Sequence, residues 1–248
     1  MRGLDRVQRN WERLGAQDSL WAVLSDPDKA GGRWDREAFF ADGRRHIDTL
    51  MAELDGRDLC PPRGRALDFG CGVGRLSLAL TAHFDAVDGV DVSEPMLGQA
   101  RELHQVDGLA FHLNQAPDLS LFADDQFDLV VTFLVLQHLP PELSLGYISE
   151  FVRVLRPGGL AVFQVPESLR RTAAVTDGRF LGAPLRNLAV RAKGVLLRKP
   201  VMEMHMVSRA EVTTAVVAAG GVLLEAEPDG SGGEFCHSTR YLALAPPR

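Results

Sequence analysis

The sequence predicts an α/β protein whose parallel strands are covered by helices. Residues 65–91 read as strand, glycine turn, helix and second strand, which is the order of a nucleotide-binding βαβ unit. Residues 127–133, FDLVVTF, form a continuous apolar run typical of a strand buried on both faces. Further strands and helices alternate up to residue 245, with an interruption over residues 166–207. This alternation favours a mostly parallel sheet.

The N-terminal residues 1–62 predict a helical cap. They contain all three tryptophans of the chain, and apolar residues recur at helical spacing over about residues 5–14 and 35–54. The cap either buries its aromatic side chains against the sheet edge or closes over a ligand as a lid. Residues 63–248 form the main domain, and we expect both parts to fold as one structural unit.

The turn after the first strand carries three glycines at alternate positions: Gly70, Gly72 and Gly74. A dinucleotide-binding turn needs Gly-x-Gly-x-x-Gly, and Arg75 occupies the position of its third glycine, which disfavours an NAD-dependent oxidoreductase. Asp68 precedes the turn and Asp91 ends the next strand. These carboxylates suit a ligand with a positive group and a ribose diol better than they suit a pyrophosphate.

Helix caps and apolar runs predict the later helices and strands. Ser93 predicts a helix N-terminus, and we expect a helix over about residues 141–155 that ends at Pro157-Gly158-Gly159. A capping box from Ser208 to Glu211 starts a last helix, which ends at Gly220-Gly221. The remaining strands are expected at about residues 109–113, 160–165, 222–227 and 240–245.

Several of these segments together resemble the class I S-adenosylmethionine-dependent methyltransferases. Residues 68–74 match the family's Asp/Glu-x-Gly-x-Gly-x-Gly turn, and FDLVVTFLVLQHL followed by LRPGGLAVF matches two later elements, over about 100 residues in all. The resemblance implies a Rossmann-like three-layer sandwich with a seven-stranded, mostly parallel sheet whose last strand is antiparallel. The N-terminal helical cap and an insertion after the fifth strand are added to this fold.

The resemblance also implies S-adenosyl-L-methionine as the cofactor. Asp91 would accept hydrogen bonds from the ribose hydroxyls, and Asp68 would contact the ligand's ammonium group. Gln115 matches the position that reaches the adenine amino group, with Asn114 as the alternative, and the carbonyl of Phe133 could accept from the ammonium. The predicted cofactor-binding residues are Asp68, Gly70, Cys71, Gly72, Gly74, Asp91, Val92, Met96, Asn114, Gln115, Ala116, Phe133 and Trp34.

Three histidines are candidates for the base that an alcohol acceptor requires: His138, His205 and His237. The pKa of histidine, about 6.5, suits proton removal at neutral pH. Glu203 and Glu234 are further polar candidates on the acceptor side. We expect no metal site, because the fourth strand ends in Thr132-Phe133 and supplies no carboxylate there.

The net charge, the cysteines and the lengths of the apolar runs indicate which classes of partner to expect. The net charge of -6 gives no overall attraction to a phosphate backbone, so we expect no nucleic-acid substrate. Three scattered cysteines are typical of a reducing compartment and predict a cytoplasmic protein, while the absence of a long apolar run predicts no membrane insertion. A homodimer is left open.

The insertion is strongly basic between residues 170 and 199 and favours an amphipathic helix over residues 184–197. Its charge indicates a solvated face, a cover for an anionic acceptor, or a patch that contacts a membrane surface.

These observations predict a methyltransferase that acts on a small molecule, with an oxygen of a sugar, lipid or secondary metabolite as the methyl acceptor. The alternatives are a C- or N-methyltransferase of a similar molecule, and a catalytically silent regulatory protein that binds S-adenosylmethionine. Fold alone does not choose among them.

Overall fold

The computed structural model describes residues 2–169, 188, 192, 200–230 and 236–246. Six of its helices are α1 (Arg2–Val23), α2 (Arg36–Gly56), α3 (Arg75–Leu80), α4 (Glu94–Leu103), α5 (Pro141–Val154) and α6 (Arg209–Ala218). The strands are β1 (Arg65–Phe69), β2 (Ala86–Asp91), β3 (Leu109–Leu113), β4 (Phe127–Thr132), β5 (Leu155–Leu169), β6 (Val222–Asp229) and β7 (Cys236–Leu244).

The seven strands form one sheet in the order β3-β2-β1-β4-β5-β7-β6. Strand β7 is antiparallel to both of its neighbours, and the pairs among β1 to β5 are parallel. This confirms the predicted seven-stranded sheet with an antiparallel last strand. The chain order reverses between β1 and β4, and ligands of open α/β sheets bind beside the carboxyl ends of strands at such a reversal.

Alternate side chains of β1 face two helical layers. Ala66 packs in a cluster with Ile47 and Leu54 of α2 and with Leu80 of α3. Leu67 joins a second cluster that includes residues of α5 and α6. The helix α2 is therefore a layer of the sandwich, whereas α1 joins a third apolar cluster with parts of α2 and α4.

Helix α1 is longer than the predicted residues 5–14, with a kink at Asp18, where φ is -159° and ψ is 80°. The Asp18 carboxylate accepts hydrogen bonds from the backbone N–H groups of Gly31 (2.7 Å) and Gly32 (2.9 Å). The connector after α1 is thereby fixed to the kink.

Strand β5 also differs from the prediction, because it starts at Leu155 and includes Pro157-Gly158-Gly159. The Gly158 N–H donates to the Ala245 carbonyl (2.7 Å), and the Ala245 N–H donates to the Gly159 carbonyl (3.0 Å). This pairing with the chain after β7 extends the ladder beyond the expected turn. The amphipathic helix predicted over residues 184–197 lies outside the described residues, apart from positions 188 and 192.

Candidate cofactor-binding site

The glycine turn between β1 and α3 forms the floor of the site. Gly70 has φ of 74° and Gly72 has φ of 55°, both in the left-handed region that favours glycine. A Cβ atom on Gly70 would clash with the side chain of Val135, and one on Gly72 would lie 2.8 Å from Cγ2 of Val23. Both glycines are therefore required by the close packing around the floor.

Asp91 lies beside this floor at the end of β2. Its carboxylate accepts hydrogen bonds from the backbone N–H groups of Gly72 (2.9 Å) and Ser93 (2.8 Å). Burial raises the pKa of Asp91, and these backbone hydrogen bonds oppose that rise. A carboxylate accepts about four hydrogen bonds, so Asp91 keeps acceptor capacity for ligand hydroxyls.

A cavity of about 720 Å³, counted with its open mouth, lies above the floor. The floor and the strand ends contribute Phe69, Gly70, Gly72, Val90, Asp91, Val92, Met96, Asn114 and Phe133. The loop after β4 and helix α5 contribute Leu134, Val135, His138, Leu139 and Tyr147.

Helix α1 supplies the roof of the cavity through Leu4, Val7, Trp11, Ala22 and Val23. The cavity therefore lies between the sheet edge and the N-terminal helix. These roof residues are not among the site residues predicted from the sequence. Leu4, Val7 and Trp11 recur at helical spacing, and that signal could have identified the face that α1 presents to the cavity.

Eight of the predicted site residues line the cavity: Gly70, Gly72, Asp91, Val92, Met96, Asn114, Phe133 and His138. Asn114 is buried, and its amide donates to the Asp118 carbonyl (2.8 Å) and accepts from the Ala116 N–H (3.1 Å). Gln115 is exposed and lies outside the cavity lining. Of the two alternatives for the adenine end, the geometry thus favours Asn114.

Asp68 and Gly74 belong to the packing beneath the turn. The Asp68 carboxylate accepts from the Ser77 hydroxyl at 2.6 Å, and burial raises the pKa of Asp68 to about 6. Gly74 has φ of 82°, and a Cβ atom there would lie 2.9 Å from both His104 and Phe111. Cys71 is also buried, and burial raises the pKa of its thiol well above the ordinary value.

Two further predicted residues lie outside the cavity lining. The Trp34 indole donates to the Leu24 carbonyl (3.0 Å) and meets the Phe39 ring edge-on at 5.6 Å. The Ala116 carbonyl accepts from the Tyr147 hydroxyl at 2.5 Å. Trp34 therefore supports the N-terminal cluster, and Ala116 holds Tyr147 against the cavity.

The three candidate bases occupy different places. His138 lies in the turn after β4, its Nδ1 is 2.7 Å from the Glu203 carbonyl oxygen, and its ring meets Trp11 edge-on at 5.0 Å. His205 lies beside the same segment, with Nε2 3.3 Å from the Glu203 carboxylate. His237 is exposed on β7, opposite Ser168 of β5. Glu234, the other acidic candidate, lies outside the described residues.

The turn that carries His138 has an unusual backbone. Leu134 has φ of 64°, which is rare for a residue with a branched side chain. Its N–H donates to Oε1 of the fully buried Gln164 at 3.1 Å. Strand β5 thereby holds the turn in the conformation that brings His138 to the cavity.

Within the ranges that the structure describes, no group of three or more His, Cys, Asp or Glu side chains is arranged to hold a metal ion. The helices in those ranges are too short or too polar to cross a bilayer.

Known proteins resemble this chain in its fold and in one domain. Residues 66–159 match a family model described as a methyltransferase domain. Over 156 residues the chain is 35% identical to a trans-aconitate 2-methyltransferase of Methylobacterium nodulans. The aligned segment covers 61% of this chain and 57% of that protein. The chain is 34% identical to a ubiquinone biosynthesis O-methyltransferase of Pseudomonas syringae pv. tomato, over 52% of this chain and 56% of that protein. The chain thus spans little more than half the length of these relatives.

The crystal structure of a magnesium protoporphyrin IX methyltransferase from Synechocystis PCC 6803 with bound SAH superimposes with a TM-score of 0.61. The two chains are 21% identical, and the match covers 96% of this chain and 97% of the other, so the likeness supports the fold. The matched family model and this likeness together show a methyltransferase domain over residues 66–159 on a Rossmann-like fold.

Proposed function

We propose that this protein transfers a methyl group from S-adenosylmethionine to an oxygen of a small molecule, such as a sugar, lipid or secondary metabolite. The observation that carries the proposal is the pairing of the Asp91 carboxylate with the glycine floor at one end of a largely apolar cavity. The backbone at Gly70 and Gly72 leaves room where any side chain would clash. These features fit a ligand with a ribose diol.

The cofactor supplies an activated methyl group, so the chain's own work is binding and alignment. Asp91 would hold the ribose, Asn114 would hold the adenine end, and Met96 and Phe133 would pack against the ligand. The apolar roof residues exclude water. Positioning of this kind can lower a reaction barrier by about 7–11 kcal/mol.

The environment of His138 supports a role as the base. A carbonyl oxygen only accepts hydrogen bonds, so the Nδ1 atom that faces the Glu203 carbonyl carries the proton. The lone pair then lies on Nε2, which is 3.2 Å from the Gln137 side-chain nitrogen. An acceptor hydroxyl that replaced this amide contact could give its proton to Nε2.

The other two histidines have weaker support as bases. His205 faces the Glu203 carboxylate, and His237 is exposed on β7. The names of the two relatives, a trans-aconitate 2-methyltransferase and a ubiquinone biosynthesis O-methyltransferase, support a small acceptor. Methylation at carbon or nitrogen, or cofactor binding without transfer, would leave the same floor in place.

The cofactor part of the proposal is tested with Asp91→Asn. This change removes the charge that accepts the ribose hydroxyls, and hydrogen bonds to a charged group contribute about 1.5–3 kcal/mol each. We expect affinity for S-adenosylmethionine, measured by isothermal titration calorimetry, to fall at least tenfold. The matched control is Asp107→Asn, at an exposed position. Equal affinities of the two variants would contradict the proposed site.

The transfer part is tested with His138→Gln and a radiolabelled methyl group on the cofactor. Sugars, phenols and hydroxylated lipids are screened with the unmodified protein, and the best acceptor is then used with the variant. Loss of a general base typically lowers turnover by about 10²–10⁴-fold. We expect such a loss with cofactor affinity unchanged. Full turnover would give His138 a structural role, and cofactor binding without transfer to any acceptor class would favour the silent alternative.

A further inference from the structure

Trp11 differs from the other two tryptophans of the chain in lining the cavity. The indole N–H of Trp21 donates to the Asp26 carbonyl (2.9 Å), and that of Trp34 donates to the Leu24 carbonyl (3.0 Å). Within the ranges that the structure describes, the indole N–H of Trp11 has no such acceptor. A buried indole N–H usually finds a hydrogen-bond partner. The half-buried Trp11 thus brings an unused donor and a large apolar ring to the cavity wall.

The main chain of Trp11 is tied to the turn that carries Asp91. The Asp91 carboxylate accepts from the Ser93 N–H (2.8 Å), and the Ser93 hydroxyl donates to the Trp11 carbonyl (3.3 Å). Further along α1, the Gly15 carbonyl accepts from the Gln99 side chain of α4 (3.1 Å). Two consecutive hydrogen bonds therefore connect Trp11 to the carboxylate that suits the ribose hydroxyls.

Aromatic and apolar contacts hold the indole ring in place. Its centroid lies 5.0 Å from that of the His138 ring, at an interplanar angle of 62°. The side chain also packs against two apolar clusters, one that includes Tyr147 and one that includes Met96. A ring that is already fixed loses little conformational freedom when a ligand binds to it, and this favours affinity.

The neighbours of Trp11 lie at both ends of the position proposed for adenosine. Asp91 would hold the ribose, and Asn114 marks the adenine end. The Tyr147 hydroxyl donates to the Ala116 carbonyl (2.5 Å), and the N–H of the same residue donates to Asn114 (3.1 Å). A nucleobase stacks on aromatic side chains through its π face. The cavity has an open mouth, so this contact requires no displacement of α1.

We propose that Trp11 is a cofactor-binding residue whose indole packs against the adenosine part of S-adenosylmethionine. Its N–H would donate to a nitrogen or oxygen atom of that ligand. The inference rests on the proposed function for the identity of the ligand. It adds to the site a side chain from α1, whereas Asp91 and the glycine floor belong to the sheet edge.

The contact is tested by tryptophan fluorescence during titration with S-adenosylhomocysteine. The Trp21→Phe/Trp34→Phe variant keeps Trp11 as its single tryptophan, and Trp11→Phe keeps the other two. We expect saturation with the ligand to change the emission of the first variant strongly, because its indole contacts the base directly. The emission of Trp11→Phe should stay unchanged at saturation.

Isothermal titration calorimetry with S-adenosylhomocysteine measures how much the contact contributes. We expect Trp11→Leu to bind about ten- to hundredfold more weakly than the unmodified protein, which is the usual effect of losing a base–aromatic stack. Trp11→Phe should keep most of the affinity, because it retains an aromatic ring. Trp21→Leu is the matched control, since Trp21 is half-buried on the same helix and outside the cavity lining. Urea unfolding checks that both leucine variants fold.

The adenosine part is distinguished from the sulfonium by comparing two ligands. S-adenosylmethionine and S-adenosylhomocysteine share the adenosine, but only the first carries a positive charge on sulfur. An indole that packs on adenosine predicts the same loss of affinity for both ligands in Trp11→Leu. A larger loss for S-adenosylmethionine would place the ring over the cation and overturn the assignment to adenosine.

Equal affinities of Trp11→Leu and Trp21→Leu would overturn the inference. A single-tryptophan variant whose emission does not respond to saturating S-adenosylhomocysteine would have the same meaning, and that test needs no substitution at Trp11. It therefore decides the question even if Trp11→Leu fails to fold. Failure of the unmodified protein to bind either ligand would instead contradict the proposed function, so the two failures are distinguishable.

Discussion

Asp68 has a raised pKa although its side chain does not line the cavity. It lies in β1 with a side chain that is 2% exposed, and it accepts a hydrogen bond from Ser77. Burial raises its pKa from 3.8 to about 6, against the opposing effects of the Ser77 hydrogen bond and the Arg75 charge. The folded protein therefore holds the Asp68 proton more tightly than the unfolded chain does.

This difference predicts a pH-dependent stability. Below about pH 4 the carboxyl is protonated in both states, and between about pH 4 and 6 only the unfolded state ionises, so stability falls as pH rises. We expect Asp68→Asn, which keeps an oxygen for Ser77, to gain stability relative to the unmodified protein across this window, by up to about 3 kcal/mol.

The measurement is urea unfolding of both proteins at several pH values. Burial lowers the pKa of His46 to about 4, so His46 favours the folded state less as pH falls from about 6.5 to 4. That contribution is common to both proteins and cancels in their difference. A difference that did not vary between pH 4 and 6 would contradict the raised pKa of Asp68.

The residues that sequence analysis left ambiguous were separated by their packing. Asn114 and Gln115 are neighbours with similar side chains, but only Asn114 is buried and lines the cavity. Trp34 was the tryptophan predicted to bind the cofactor, whereas Trp11 is the tryptophan that lines the cavity. Side-chain direction depends on the surrounding helices and loops, so spacing along the chain did not reveal it.

At the scale of elements, local signals predicted helix and strand positions well. The capping box at Ser208 and Glu211 is present, with the Glu211 N–H 3.3 Å from the Ser208 hydroxyl oxygen. Ser93 does precede α4, but its hydroxyl donates to the Trp11 carbonyl at 3.3 Å instead of capping its own helix. A tertiary contact with α1 has replaced the local one.

The contact between α1 and α4 depends on Gly15. A Cβ atom there would lie 2.7 Å from Cγ of Met96 and 3.1 Å from the Ser93 hydroxyl oxygen. We expect Gly15→Val to separate the helices, to lower the free energy of unfolding by about 1–3 kcal/mol, and to weaken cofactor binding because Met96 lines the cavity.

Gly98 provides the matched control on the facing helix. A Cβ atom at Gly98 would meet nothing within 4 Å, and alanine favours a helix over glycine by about 0.5–1 kcal/mol. Gly98→Ala should therefore be neutral or stabilising in urea unfolding, with unchanged affinity for S-adenosylmethionine in calorimetry. A Gly15→Val variant as stable as the unmodified protein would show that α1 does not need this close approach.

At the scale of the whole molecule, a charge network joins α2 to the hairpin of β6 and β7. Arg240 contacts both carboxylate oxygens of Glu53, at 2.9 and 2.5 Å, and Glu227 at 3.0 Å. Arg57 pairs with Glu53, Glu225 and Glu227. The side chain of Arg240 is only 18% exposed, so this network is less screened than an ordinary surface pair.

We expect Arg240→Met to lower the free energy of unfolding by about 1–3 kcal/mol and to reduce the dependence of stability on salt. Arg45→Met is the control, because Arg45 is 69% exposed and forms a surface pair with Asp42. Exposed pairs contribute about 0–1 kcal/mol. Thermal unfolding at low and high salt measures both effects, and equal losses in the two variants would mean that the network does not couple α2 to the hairpin.

The sequence by itself determined the sheet, the glycine floor and Asp91. These features are local, because a strand, its turn and the last residue of the next strand are specified by periodicity, glycine spacing and a single carboxylate. The tertiary structure alone decided the roof of the cavity, the partner of Asp68 and the contacts of Trp11 with Ser93 and His138. Trp11 and Ser93 are 82 positions apart, and a pairing at that separation depends on how the helices pack, which no local pattern records.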